Sequence, residues 1–78
     1  MDIKEQVKGV IVNMLKVKTG EIKDGMSLEN SIGVDSTEMV ELVIALGKSF
    51  NIKIGEKEIT KFSTLDEIEK VIAIKIGK

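Results

Sequence analysis

Nothing in this chain can staple it together. Its 78 residues include no cysteine for a disulfide, and no histidine that could join one in a zinc site. A chain this short buries only about 60% of its unfolded surface, so a small apolar core must carry the whole fold. What remains is regular, well-packed apolar faces, which favours a helical bundle. The apolar residues that must supply those faces are mostly Ile, Val, Leu and Met, with two phenylalanines as the only aromatics.

The same absences narrow the chemistry. Without His or Cys, the commonest general base and the most reactive nucleophile at neutral pH are missing. So short a chain also leaves little room for an enclosed active-site cleft, and a non-catalytic protein is expected. Lys plus Arg number 12 against 13 Asp plus Glu, and every one of the 12 is lysine. With no arginine and no basic stripe, nucleic acid is not an expected partner. No apolar run reaches about 18 residues, so no membrane span is expected. The opening Met-Asp-Ile-Lys-Glu-Gln is too charged for a signal peptide. The expectation is one cytoplasmic, monomeric domain spanning residues 1–78.

Four segments carry helical periodicity. In the first, Ile3, Val7, Val10, Ile11, Met14 and Val17 share a face, and Gly20 is the predicted stop. A long connection follows, from about Lys18 to Asp35, pinned by Ile22, Leu28 and Ile32, with a single turn over Ser27–Asn30. The second helix starts after Asp35, reaches Phe50 and exits through Asn51. Ile52-Lys53-Ile54 reads as an extended patch with its isoleucines inward, although its alternation also fits a short strand. Glu56 to Phe62 is predicted as a short third helix of one or two turns. The last helix begins at Ser63 or Thr64, where Thr64–Glu67 and Ser63–Asp66 both have capping-box spacing. Its stripe is Leu65, Ile68, Val71, Ile72 and Ile76. The predicted fold is an all-α four-helix bundle with a long first loop and a short third helix.

The second helix holds the candidate site. At about 100° per residue, Met39, Leu42, Val43, Leu46 and Phe50 make one core-facing arc. Val40 and Ile44 fall outside it, on the line that Ser36 begins, with Glu41 on their flank. Asp35 fits the N-cap, and Glu38 completes a box. Ser36 is then the first helical residue, its hydroxyl outside the helix at the positive end of the dipole. A phosphate ester there would meet free backbone N–H groups. Taken alone, a serine at a helix start is most often a capping residue, so the surrounding pattern has to carry the assignment.

That pattern resembles the acyl carrier proteins. Asp35-Ser36 after Gly33-Val34, then Val40-Glu41-Leu42-Val43, Ala45-Leu46 and the closing Phe50 are similar to that family's motif. The similarity extends over essentially the whole chain. It implies that Ser36 carries 4′-phosphopantetheine, with Asp35 as the supporting carboxylate. A separate magnesium-dependent phosphopantetheinyl transferase would attach the group from coenzyme A, and the protein itself would need no metal. The working thiol would then belong to the arm, which explains a carrier without cysteine. Acyl intermediates would ride as thioesters, partly sheltered between helices, in fatty acid or polyketide-type lipid biosynthesis. Thr37, Val40, Glu41 and Ile44 match the face that docks acyl-transfer, condensing and acyl-processing enzymes.

The chain departs from the family in places. Thr37 stands where leucine is usual, Gly47-Lys48-Ser49 lacks the acidic run of fatty-acid carriers, and the short third segment has no proline. An aminoacyl or peptidyl carrier of a nonribosomal pathway fits the same residues, and so does an unmodified helical interaction module. Other readings stand beside these. Val40 and Ile44 either form a docking surface or widen the core stripe; Glu41 either meets a partner or is simply solvated. Glu56 and Glu58 read as solubilising. Gly47, within the helix and near the proposed face, marks either close approach of a partner or arm, or an early loosening of the helix end. On either reading, Gly47→Ala should stabilise the fold.

Overall fold

A computed structural model describes residues 2–55 and 57–77. Among the described residues there are four α-helices: α1 (Ile3–Leu15), α2 (Leu28–Ile32), α3 (Ser36–Phe50) and α4 (Leu65–Lys75), with a 3-10 turn at Thr19–Glu21 in the long connection. The all-α, four-helix expectation holds, but the short helix has a different place. Ser27 caps α2 by accepting from the Asn30 N–H at 3.2 Å, so the predicted single turn becomes a helix. Residues 57–62 form successive turns and a bend instead. Glu56, the first residue of that predicted helix, lies outside the described residues.

Helix α1 ends earlier than its apolar pattern implies. It stops at Leu15 with Lys16 in the left-handed region, φ 59°, and Lys16 donates its N–H to the Val12 carbonyl. Gly20 therefore terminates nothing. Val17 still packs against the core, but from beyond the turn. Periodicity alone could not separate these outcomes, because a residue just past a reversed end can lie over the same face.

Helix α1 packs against both α3 and α4. Val7 and Ile11 from α1, Leu42 and Leu46 from α3, and Leu65, Ile68 and Ile72 from α4 meet in the buried core. Full burial of such a side chain stabilises by about 1.5–3 kcal/mol, so this cluster holds the bundle together. Ile22 and Leu28 are buried as expected, and Ile32 packs against the core from a partly buried position. Val34 and Ile59 are also buried, although neither belongs to a predicted stripe.

The two longer connections are stitched where helices begin. Ser27 and Thr64, the N-caps of α2 and α4, face each other in an isolated antiparallel bridge. Leu28 donates its N–H to the Ser63 carbonyl, and Glu29 donates to that of Lys61. Of the two candidate boxes at α4, Thr64–Glu67 is the one used, and the Ser63 hydroxyl accepts from the Thr60 N–H instead. Across the bundle, Lys4 on α1 reaches Asp66 at 2.6 Å and also faces Asp24 and Glu69. The hydrogen bond with Asp66 raises the Lys4 pKa and lowers that of Asp66.

Candidate functional site

The start of α3 is fixed by its own side chains. Asp35 Oδ1 accepts from the Glu38 N–H at 2.8 Å, and Glu38 Oε1 accepts from the Asp35 N–H at 3.0 Å. This reciprocal pair is the box that the sequence predicts. Just before it, Gly33 caps α2 at φ 69°, a conformation that glycine adopts without a Cβ penalty. Val34 then plunges into the core. The anchor on one side and the cap on the other leave Ser36 as the first helical residue, exposed to solvent.

Ser36 and Thr37 sit where backbone N–H groups have no intrahelical acceptor. An oxyanion on the Ser36 hydroxyl would find those donors and the positive end of a 15-residue helix. Asp35 uses one carboxylate oxygen for the cap, so its first role here is to set where Ser36 stands.

Burial separates the faces of α3. Met39, Leu42 and Leu46 are buried, while Val43 and Phe50 pack against the core from partly buried positions. Val40 is 59% exposed and Ile44 54%, so the two do not widen the core stripe. Thr37 and Glu41 are exposed as well.

Beside this face runs an open groove of about 470 Å³. Ser36, Val40, Val43 and Ile44 form one wall, with Met39 behind them; Ile54 and the stretch Ile59–Phe62 form the other. Thr37 and Glu41 do not line it. Sequence reasoning missed the second wall because it read residues 56–62 as a short helix, whereas residues 57–62 run through turns and a bend. The remaining signals were Ile59, alone in a polar stretch, and Phe62, one of only two aromatics.

That wall is held by polar contacts. Glu58 Oε1 accepts the Gly55 N–H at 2.6 Å and meets Lys75 Nζ of α4 at 2.9 Å. The Gly55 N–H and then Lys75 hold the Glu58 carboxyl below its ordinary pKa. Glu58 is therefore a loop-to-helix tie, contrary to the solubilising role expected for it. Lys61 Nζ pairs with Glu29 of α2 at 3.0 Å.

Gly47 also differs from expectation. The helix does not loosen there but continues to Phe50, where Asn51 turns left-handed at φ 56°. Ile52 folds back and donates its N–H to the Gly47 carbonyl at 2.9 Å. An added Cβ at Gly47 would lie 2.9 Å from the Ile52 carbonyl oxygen. The close approach is real, but the chain's own backbone makes it.

An exposed hydroxyl, unpaired N–H groups around it and an apolar groove beside it suit a long, flexible group joined through a phosphate. Among the described residues, no group of three or more acidic, His or Cys side chains could hold a metal ion. No helix among them is long and apolar enough to cross a membrane. The family model described as "Phosphopantetheine attachment site" matches residues 5–72, and the chain belongs to this family of phosphopantetheine-bearing carriers. Its relatives include the acyl carrier protein of Wolinella succinogenes, 36% identical over 72 residues, which cover 92% of this chain and 95% of that one. The chain is thus an acyl carrier homologue, and its family implies a covalent 4′-phosphopantetheine. Such carriers are generally not catalytic and work with acyl-processing enzymes.

Proposed function

We propose that Ser36 is the attachment residue and that this chain carries acyl groups on the resulting arm. One observation carries the assignment: an exposed hydroxyl on the first residue of a capped helix, at the rim of an apolar groove. A separate phosphopantetheinyl transferase supplies the chemistry of attachment. The Ser36 oxygen forms a bond to the phosphorus of the pantetheine phosphate in coenzyme A. The phosphoanhydride bond to that phosphorus breaks, releasing adenosine 3′,5′-bisphosphate, and the hydroxyl proton passes to a base on the transferase. When bound, the group supplies a thiol that holds acyl chains as thioesters.

The chain's own residues position and present. Asp35 holds Ser36 at the helix start through the cap. Val40 and Ile44 offer acyl-transfer and condensing enzymes an apolar grip beside the hydroxyl, with Thr37 and Glu41 on the same exposed side. Met39, Val43, Ile54 and Ile59 give the groove an apolar lining, which suits a hydrocarbon cargo better than a charged aminoacyl one. Fatty acid or related polyketide-type synthesis is the reading these features support.

The test is mass spectrometry after incubation with coenzyme A, magnesium and a broad-specificity phosphopantetheinyl transferase. One added phosphopantetheine is expected on the wild type and none on Ser36→Ala. An unmodified wild type, with the transferase shown active on another carrier, refutes the assignment.

A further inference from the structure

The outward face of α3 changes sign along its length. At about 100° per residue, Thr37, Val40, Glu41, Ile44 and Lys48 share one arc, opposite the buried Met39, Leu42 and Leu46. Asp35 and Glu41, both exposed, put negative charge toward the start of the helix, and Lys48 puts positive charge at its far end. Lys48 stands about 18 Å beyond Ser36 along the axis, at about 1.5 Å per residue.

A second groove, of about 370 Å³, opens at that far end. Ile44, Ile52 and Ile54 give it apolar sides, and the exposed Lys48 and Lys53 line it with them. Ile44 also lines the groove beside Ser36, so the two hollows adjoin. Among the described residues, Lys4, Lys8, Lys61 and Lys75 pair with carboxylates, whereas Lys48 and Lys53 pair with none. A cation suits the last turn of a helix, which accounts for Lys48 alone. Lys53 lies beyond that turn and brings a second positive charge to the same apolar hollow.

We propose that this end of α3 is a second docking subsite, which takes an acidic patch with an apolar side chain at its centre on a partner enzyme. The proposal rests on the reading of Ser36 as the attachment point and of Val40 and Ile44 as the grip beside it. Those two apolar residues alone would hold the helix nearly as well in either direction. Glu41 toward one end, with Lys48 and Lys53 at the other, lets a partner of opposite polarity accept one direction only. A uniformly anionic surface, such as a membrane or a nucleic acid, would attract the lysines but repel Glu41 on the same face and Asp35 at the helix start. A protein surface can change its sign within about 18 Å, as this helix does.

The test compares the wild type with Lys48→Glu/Lys53→Glu, Lys48→Gln/Lys53→Gln and a charge-matched control, Lys18→Glu/Lys23→Glu in the first connection. Each is loaded with an acylated arm, with loading confirmed by mass spectrometry and folding by circular dichroism. The partner is a purified condensing enzyme from the same cell, shown to accept acyl groups from the wild type. Its kcat/KM for each carrier is read from about 50 to 500 mM salt. A water-soluble carbodiimide, which joins lysine amines to carboxylates in contact, then maps the interface. Reversal at Lys48 and Lys53 should lower kcat/KM about tenfold at low salt and neutralisation less, with both losses shrinking as salt screens them. The control should follow the wild type, and cross-links should join Lys48 or Lys53 to Asp or Glu of the enzyme. A Lys48→Glu/Lys53→Glu variant with the wild-type kcat/KM or a higher one overturns the proposal while leaving attachment at Ser36 intact. An equal loss in the control, or cross-links confined to other lysines, overturns it as well. Co-sedimentation with phosphatidylglycerol vesicles that is lost in Lys48→Gln/Lys53→Gln would make a lipid surface the occupant and overturn it equally. Failure of the wild type to load sinks the carrier reading and this proposal together.

Discussion

Glycine-to-alanine changes at two helical positions should move stability in opposite directions. Gly9 lies in the middle of α1, and an added Cβ there would meet nothing within 4 Å. Gly9→Ala removes only the conformational penalty of glycine, a gain of up to about 1 kcal/mol. Gly47→Ala collects a similar propensity gain but puts a methyl 2.9 Å from the Ile52 carbonyl oxygen, where ordinary contact begins at 3.4 Å. The carbonyl must retreat by the difference, 3.4 − 2.9 = 0.5 Å. It is not free to do so, because Ile52 packs against the core and its N–H is bonded to the Gly47 carbonyl. Forcing extra volume into such a site costs about 1–3 kcal/mol. Set against the propensity gain, the net is a loss centred on about 1 kcal/mol. For a domain of this size, a change of 1 kcal/mol moves Tm by about 4–8 °C. Thermal and urea unfolding followed by far-UV circular dichroism should show Gly9→Ala above the wild type and Gly47→Ala below it. The urea m-value should stay constant, so that midpoint shifts report stability. If Gly47→Ala were stabilised as much as Gly9→Ala, the argument from close backbone approach would be wrong.

Other perturbations test the groove and its supports. Ile44→Asp should leave Tm within about 2–4 °C of the wild type, because Ile44 is exposed, yet slow loading of Ser36 by the transferase about tenfold or more through a lost apolar contact. Loading at the wild-type rate would remove Ile44 from the docking face. Glu58 has a lowered folded-state pKa, so its contribution is present above its ordinary 4.5 and disappears as pH falls through the lowered value. The Tm gap between wild type and Glu58→Gln should therefore be open at about pH 7 and narrow as pH falls below 4.5, as read by melting curves across the acid range. A gap that persists in acid would mean that the tie to Gly55 and Lys75 does not depend on charge.

The features the sequence determined by itself are those written within one helical turn or repeated along it. Asp35 and Glu38, like Thr64 and Glu67, are three residues apart, so each pair can close its box without help from the rest of the chain. The separation of Val40 and Ile44 from Met39, Leu42 and Leu46 follows from the 100° step, and burial divides them along that line. The position of Ser36 at the head of α3 needs only these two rules. Tertiary structure decided everything that depends on irregular backbone meeting a distant helix. Lys16 turned α1 before its apolar stripe ran out, and Ser27 drew a helix from what reads as a single turn. Residues 57–62 kept their turns because hydrogen bonds to Gly55, Thr60 and the start of α2 replaced those of a helix. That choice set Ile59 and Phe62 opposite Ser36, while the left-handed turn at Asn51 brought Ile52 over Gly47. A local rule sees a serine at a helix start; the groove beside it exists because segments far apart in sequence fold onto the same side of α3.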